Sequence, residues 1–280
     1  MAGSGLAVTV SVVIPTWNSR ATLRIAVQSA LAQTIPPLEI LVCDDGSTDG
    51  SEEVVRAFGD PRVRWIPGSR GGRPAIPRNR GIEVSRGFWI AFLDHDDEWV
   101  PEKLEKQLSL AATSGCRAVS SNAWRRLPGG GVEGTLLCNP PPRITFADLL
   151  DVNYIVSSSA VVEKSLFHRA TGFPEAMEMT GIDDYALWLR LATMTDFACL
   201  PVPLLWYNDN PRVTLRRVDP ELAVQRARVF SDFLSWSEGG GIHDVFQRKV
   251  RRRAARDERS ARGGFVWRLL KHLRGPQEPQ

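Results

Sequence analysis

A cluster of acidic residues directly after a buried strand constrains this chain more than any other feature. The run FWIAFL (88–93) is short, aromatic and branched, which predicts a strand buried on both faces. Asp94, Asp96 and Asp97 follow at its carboxyl end. Like charges this close raise one another's pKa unless a cation lies between them, and carboxylate oxygens suit Mg²⁺ or Mn²⁺. The cluster therefore predicts a divalent-cation site, although an acidic loop capping a helix near Pro101 would have the same composition.

Strand and helix patterns alternate through the first part of the chain. They predict an α/β fold with a mostly parallel central sheet flanked by helices. The predicted strands are 8–15, 38–43, 63–66 and 88–93, and the predicted helices are 19–31, 51–58 and 77–85. Asn18 or Ser19 is the expected cap of the first helix. Ligands of such sheets bind in the crevice beyond the carboxyl ends of the strands.

A second acidic turn, Asp44-Asp45, follows the strand at 38–43, so both acidic turns are expected to face one crevice. Carboxylates accept hydrogen bonds from a nucleobase or a ribose, while a metal bridges a diphosphate. Asp45 could instead form an Asx-turn before a helix. The chain contains neither GxGxxG nor a Walker loop, but the basic loop GSRGGR (68–73) could cover phosphates.

The composition, with 43% apolar and 24% charged residues among 280, is that of an ordinary globular protein. Its four cysteines have no CxxC spacing, which argues against zinc and disulfides and favours a reducing compartment. No apolar run approaches the roughly 18 residues of a membrane span, and the first residues lack a signal-peptide pattern. We therefore expect a cytoplasmic location.

The acidic turns belong to a series of six segments. These are SVVIPTWN (11–18), DDGSTDGS (44–51), PRNRGI (77–82), LDHDDEW (93–99), GFPEAM (172–177) and GIDDYALWLRL (181–191). In this order and spacing they resemble successive motifs of glycosyltransferase family 2, which has the GT-A fold. The resemblance covers roughly residues 8–210 and implies an inverting, non-processive enzyme that uses a nucleotide-activated sugar, most often a UDP-sugar.

The resemblance also implies a donor site. The residues that would bind the nucleotide sugar are Pro15, Thr16, Asn18, Asp45, Arg78 and Asp94. Asp96 would bind the metal, with Asp97 and Asn210 as further candidates. The chain departs from the family pattern at Asn210, where many relatives have a histidine that can reach the metal.

Two adjacent acids, Asp183 and Asp184, open an apolar helix. Glycosyl transfer with inversion needs one base on the face opposite the departing nucleoside diphosphate, and a single carboxylate can serve. The resemblance makes Asp184 this base, with Asp183 beside it in support. Acids at a helix start are also common simply because they interact favourably with the helix dipole. Arg190 could neutralise the negative charge of the diphosphate or face solvent.

We expect a catalytic domain over 1–215, with a nucleotide-sugar-binding half (8–116) and an acceptor-binding half (117–215). Within the second half, Trp124 and Tyr154 could stack on a sugar or belong to the core.

Residues 216–280 are expected to form a helical basic extension. The net charge is +3 for the chain and +7 for residues 241–280, which leaves −4 for the first 240. Residues 242–274 could bind an anionic membrane surface, which would place the protein peripherally on the cytoplasmic membrane face, or pack an apolar stripe on the body. Nucleic acid is not expected, since no recognition motif accompanies the charge.

Three functions are compatible with these features. The first is a metal-dependent glycosyltransferase acting on a saccharide or lipid-linked saccharide acceptor in cell-surface glycan assembly. The second is a sugar-phosphate nucleotidyltransferase, which would usually have a glycine- and lysine-rich loop after the first strand. The third is a non-catalytic, membrane-associated module that binds nucleotide.

Overall fold

Residues 8–209, 222–239 and 244–260 are described in a computed structural model of the chain. The strands are β1 Val10–Thr16, β2 Glu39–Asp44, β3 Val63–Ile66, β4 Trp89–Phe92, β5 Glu98–Trp99, β6 Ala118–Arg126, β7 Val132–Thr135, β8 Arg143–Ile144, β9 Val161–Glu163 and β10 Phe197–Asn208. The helices are α1 Leu23–Leu31, α2 Ser51–Arg56, α3 Ala75–Val84, α4 Lys103–Ser114, α5 Phe146–Leu149, α6 Ser165–Ala170, α7 Asp183–Leu191, α8 Leu222–Gly239 and α9 Asp244–Ser260.

One sheet, with the strand order β3-β2-β1-β4-β9-β6-β10-β5, runs through the described part of the chain. Its first four strands are parallel, as the alternation of strands and helices predicted. β9 is antiparallel to both β4 and β6, whereas β6 and β10 are parallel. The sheet is therefore parallel where the nucleotide is expected and mixed in the second half.

The parallel strands are buried because their side chains enter apolar cores on both faces of the sheet. Val13 and Leu41 belong to one core cluster, while their neighbours Val12 and Ile40 belong to the other. This alternation follows from the two-residue period of a strand. A strand covered on both faces needs a continuous apolar run. The strand boundaries predicted from the sequence therefore lie close to the observed ones.

A serine-rich turn precedes the short strand β9. Ser157–Ser159 forms a 3-10 turn, and only Val161–Glu163 is extended. The Ser159 hydroxyl donates to the backbone oxygen of Val156 at 2.7 Å. Serine side chains offer the backbone such local partners, which compete with strand pairing. The turn lies directly beneath the acidic cluster.

Helices α8 and α9 pack on the second half of the fold. Phe230 and Phe233 of α8, and Val250 and Ala254 of α9, are buried in the same core as α7. Residues 244–260 thus pack an apolar stripe on the body, while 240–243 and 261–274 lie outside the described residues. None of the described helices is both long and apolar enough to cross a bilayer. The domain boundaries at 116 and 215 stay predictions.

Glu39 provides a test of how the edge of the parallel sheet is held. Its fully buried carboxylate accepts hydrogen bonds from Ser11 Oγ, Arg64 Nη1 and Arg86 Nε at 2.8, 2.8 and 3.0 Å. Burial by itself would raise the pKa of Glu39, but the bonds from Ser11, Arg86 and Arg64 lower it below its usual value.

We expect Glu39→Gln to lower the free energy of unfolding at pH 7 by about 1 to 2 kcal/mol, because both arginines are partly exposed. A lowered folded-state pKa stabilises above the unfolded pKa, about 4.3, and this contribution disappears as the pH falls through the folded value. Urea unfolding should therefore show the difference shrinking below about pH 4. Glu52→Gln, on the surface, is the control. An equal loss at all pH values would contradict this interpretation.

Candidate active site

A cavity of about 660 Å³ opens at the carboxyl ends of β1, β2 and β4 and at the start of α7. Most of the predicted site residues line it, namely Pro15, Thr16, Asn18, Asp45, Arg78, Asp94, Asp96, Asp183 and Asp184. Asp97 and Arg190 do not line it, and Asn210 lies outside the described residues. The cavity therefore brings the two predicted acidic turns and the predicted catalytic helix together.

The turn after β1 forms one wall of the cavity. Asn18 has a left-handed backbone (φ 47°), and its side-chain oxygen accepts from the Thr48 amide at 2.9 Å. The predicted helix cap at Asn18 or Ser19 is wrong, because α1 begins after Thr22 and Asn18 holds the neighbouring loop instead. The buried Thr16 hydroxyl has no hydrogen-bond partner among the described residues. Thr16 thus brings an unsatisfied hydroxyl to the cavity wall.

The loop 68–73 closes over Asp45. The Asp45 carboxylate is 2% exposed and accepts from the amides of Gly71 and Gly72 at 2.7 and 2.8 Å, as well as from Arg70. The Arg70 guanidinium lies 3.8 Å from the centre of the Trp17 ring. A Cβ at Gly71 would lie 2.4 Å from Ile76 Cδ1, the movable end of that side chain, and 3.1 Å from Asp45 Oδ1. The basic loop therefore covers the end of the cavity where the nucleobase is expected to bind.

The Asx-turn considered for Asp45 is formed by its neighbour. Asp44 accepts from the amides of Gly46 and Ser47, both at 3.0 Å. With Asp44 in this role, the Asp45 side chain is directed at the cavity wall.

Arg78 joins the acidic turn after β4 to the start of α7. Its guanidinium donates to Asp94 Oδ1 at 2.6 Å and to Asp183 Oδ2 at 3.0 Å, and the residue is 5% exposed. Burial alone would lower the pKa of Arg78, but Asp94 and Asp183 hold it above its usual value. A planar guanidinium can pair with two carboxylates in fixed directions, which an ammonium cannot. Arg78 therefore sets the distance between the two acidic elements.

The acids after β4 separate into half-buried residues that line the cavity, Asp94 and Asp96, and a fully buried one, Asp97. Asp96 lines the cavity, and burial together with the nearby charge of Asp94 raises its pKa. Asp97 is 1% exposed and accepts from the Ser158 hydroxyl and from the Asn208 amide at 3.0 Å. The prediction of Asp97 as a metal ligand is therefore wrong. Its carboxylate lies under the cavity and ties this turn to β10.

The two acids of α7 also differ. Asp183 is 2% exposed and paired with Arg78, and burial raises its pKa although Arg78 acts in the opposite direction. Asp184 lines the cavity, is more exposed, and accepts from the Tyr185 amide at 2.7 Å. Neither acid caps the helix, because the N-cap residue is Ile182. Of the two, Asp184 has the geometry of a base that faces a ligand.

Arg190 is not a partner of the diphosphate. It is 5% exposed and donates to both carboxylate oxygens of Asp232 on α8, at 2.7 and 2.8 Å. It also donates to the Ala170 backbone oxygen at 3.1 Å. The expectation that Arg190 supports catalysis is therefore wrong, and the residue anchors α8 to α7.

The end of β10 contributes Tyr207 and Asn208 to the cavity. The Asn208 side chain donates to the backbone oxygen of Asp96. Asp209, the neighbour of Asn210, pairs with Arg125 at 2.7 Å. Among the described residues, no group of three or more His, Cys, Asp or Glu could hold a metal by itself.

The aromatic residues considered for sugar stacking lie elsewhere. Trp124 stacks on Trp206 with ring centres 4.5 Å apart, and Tyr154 packs against the core. Sequence reasoning missed other cavity residues, including Trp17, Arg70, Asn208, Gln225 and Arg226. The sequence indicates the basic loop 68–73, but only the fold shows that this loop contacts Asp45.

The mixed sheet flanked by helices, with a cavity at the carboxyl ends of its parallel strands, has the architecture of a GT-A fold. The sequence model described as "Glycosyl transferase family 2" matches residues 11–169, and the chain belongs to this family. It is a glycosyltransferase, which decides among the three functions left open by the sequence.

Glycosyltransferases of bacterial glycan synthesis are similar to much of the chain. The "UDP-Glc:alpha-D-GlcNAc-diphosphoundecaprenol beta-1,3-glucosyltransferase WfgD" of Escherichia coli is 30% identical over 182 residues, 65% of this chain and 69% of the relative. The "Putative teichuronic acid biosynthesis glycosyltransferase TuaG" of Bacillus subtilis is 29% identical and covers 65% and 71%. The crystal structure of S. aureus TarS 1-349 in complex with UDP has a TM-score of 0.65 and 18% identity, and the match covers 87% of this chain and 70% of that fragment. This last similarity shows the shared fold.

Substituting Arg78 tests whether one guanidinium holds the site together. We expect Arg78→Lys to lower the free energy of unfolding by about 3 kcal/mol, because a lysine leaves one buried carboxylate unpaired. Urea unfolding is the measurement. The control is Arg56→Lys in an exposed pair on α2, which should change stability by less than about 0.5 kcal/mol. Equal stability of the two variants would contradict the bridging role.

Proposed function

We propose that the protein is an inverting, metal-dependent glycosyltransferase that moves a sugar from a UDP-sugar to a saccharide or lipid-linked saccharide acceptor in cell-surface glycan assembly. The main support is one observation: Asp45, Asp96 and Asp184 line a single cavity. The names of relatives agree with this proposal. WfgD is named for UDP-Glc and a diphosphoundecaprenol-linked acceptor, and one TarS structure contains UDP-GlcNAc.

In this proposal the donor lies along the edge formed by β2, β1 and β4. The nucleobase of the donor lies at Asp45 beneath the loop 68–73, where the Asp45 carboxylate can accept a further hydrogen bond. The Thr16 hydroxyl and Asp94 lie on the path towards β4 and bind the ribose. Arg70 lies above the Trp17 ring and pairs with Asp45, so the nucleobase enters next to this ion pair.

Asp184 is the proposed base. It takes the proton from the acceptor hydroxyl while that oxygen bonds to the anomeric carbon and the bond to the diphosphate breaks. The Arg78 guanidinium lies near enough to interact electrostatically with Asp184. One carboxylate suffices, because the leaving diphosphate needs charge stabilisation rather than a proton.

The carboxylates of the cavity fit Mg²⁺ or Mn²⁺ only together with the diphosphate of the nucleotide sugar. Asp96 offers a carboxylate in the cavity and Asp94 lies two residues away, but the protein alone lacks a third such ligand among the described residues. Mg²⁺ is commonly held by one or two carboxylates plus substrate phosphates. A metal bound in this way would stabilise the charge of the departing diphosphate.

The outer face of α9 supports a membrane-surface role for the segment 242–274. Arg248, Arg252 and Arg256 recur every fourth residue and are exposed, which places them on one face of the helix. Basic residues near a membrane surface attract anionic lipids. We propose that this face lies on the cytoplasmic surface of a membrane, close to lipid-linked acceptors.

Removing the proposed base should separate chemistry from binding. We expect Asp184→Asn to slow transfer by about 10² to 10⁴-fold, while the dissociation constant of UDP stays unchanged. UDP release in the presence of acceptor and calorimetric UDP binding are the two measurements. Glu178→Gln, an exposed acid outside the cavity, serves as the control. Unchanged transfer in Asp184→Asn would exclude this residue as the base.

Metal dependence can be tested without an acceptor. UDP at 100 times its dissociation constant should stabilise the wild-type protein by about 2.7 kcal/mol. We expect thermal unfolding to show a smaller effect when Mn²⁺ is replaced by EDTA, and no difference between Mn²⁺ and EDTA in Asp96→Asn. A metal effect of equal size in both proteins would exclude Asp96 as a ligand.

A further inference from the structure

We propose that α8 completes the acceptor end of the cavity and that Gln225 and Arg226 bind hydroxyl groups of a neutral acceptor sugar. This proposal rests on the proposed function and assigns a subsite to a helix beyond the family match, which ends at residue 169. Both residues line the same cavity as Asp184.

The position of α8 separates this subsite from the donor residues. Asp45 follows β2, two strands away from β4 in the sheet. In contrast, α8 packs against α7, the helix that begins with Asp183 and Asp184. The remaining wall is formed by Asp151, Val152 and Asn153, which follow α5. A sugar bound between this wall and α8 would lie on the Asp184 side of the cavity, where an acceptor hydroxyl must be deprotonated.

The charges around Arg226 indicate a neutral ligand. Arg226 donates to Asp257 Oδ2 at 3.0 Å and to the Asp151 backbone oxygen at 3.3 Å. Arg253 pairs with the same Asp257 at 3.1 Å and with the Asp151 carboxylate. Two arginines and two aspartates leave this cluster without net charge. It is therefore poorly suited to a phosphate, for which an uncompensated cation would be expected.

The hydrogen-bonding groups suit a sugar ring. A guanidinium has five N–H donors, and the described contacts of Arg226 use only some of them. The Gln225 side chain, which has no hydrogen-bond partner among the described residues, adds an amide that can both donate and accept. Val152 is 42% exposed and provides an apolar surface next to these groups. Hydroxyls and C–H groups of a pyranose match this combination.

The subsite is held rigidly. The bidentate pair of Arg190 and Asp232 fixes α8 to α7, and Phe230 and Phe233 are fully buried beneath it. A site on an anchored helix needs little ordering when the ligand binds, which favours affinity and selectivity.

The test compares Gln225→Ala and Arg226→Gln with Arg228→Gln, a matched change on α8 outside the cavity. The probes are UDP-glucose with undecyl diphosphates carrying GlcNAc, GalNAc, glucose or galactose. We expect the KM for the acceptor to rise about 5- to 10-fold in the first two variants, as for one lost neutral hydrogen bond, and to stay unchanged in the third. The KM for the donor and the thermal stabilisation by UDP should match the wild type in all three. Gln225→Ala leaves the ion cluster intact, so it tests the subsite even if Arg226→Gln perturbs the fold.

The outcomes separate the subsite from the function. Transfer with an unchanged acceptor KM in both variants would overturn the subsite and leave the glycosyltransferase intact. Absence of UDP binding and of transfer in the wild type would contradict the proposed function instead. If UDP binds but no lipid is a substrate, saturation-transfer NMR with the four methyl glycosides and UDP replaces the kinetic test. A signal lost in Gln225→Ala and kept in Arg228→Gln supports the subsite, and no wild-type signal overturns it.

Discussion

A single buried guanidinium, that of Arg78, holds the acidic ends of the cavity together. It pairs with Asp94 after β4 and with Asp183 at the start of α7. Without Arg78, the carboxylates of Asp94, Asp183 and Asp184 would share a crevice of low dielectric constant and repel one another. Because Asp184 follows Asp183 directly, the pairing also fixes the direction of the proposed base. The proposed donor-binding edge of the sheet and the helix of the proposed base are thus positioned by one residue.

A second buried network supports this arrangement from below. The Ser158 hydroxyl donates to Asp97 and accepts from the Asp94 amide, while the Trp99 indole donates to the Ser158 backbone oxygen at 2.8 Å. Asp97 also accepts from the Asn208 amide, so one carboxylate links the turn after β4, the serine turn and β10. Buried polar groups are costly when unpaired but specify one arrangement when every partner is present. The network therefore keeps Asp96 directed at the cavity.

Much of the fold could be predicted from the sequence, because strands buried on both faces need long apolar runs such as VSVVI (10–14). The crevice was predictable as well, since parallel strands end at one edge and acidic turns follow two of them. The direction of individual side chains was not. Asp97 is adjacent to Asp96 and yet points into the protein, and Arg190, two turns along α7, pairs with Asp232 from a helix distant in sequence. Gln225 and Arg226 belong to no motif, so only the packing of α8 on α7 shows that they reach the cavity.

The most direct test of the donor site is a calorimetric titration of UDP into the wild-type protein, first with Mn²⁺ and then with EDTA. A nucleotide-sugar site between Asp45 and Asp96 predicts binding of one UDP per chain with Mn²⁺ and weaker binding with EDTA. The absence of binding by UDP, CDP, GDP and ADP under both conditions would contradict the assignment of this cavity to a nucleotide-sugar donor.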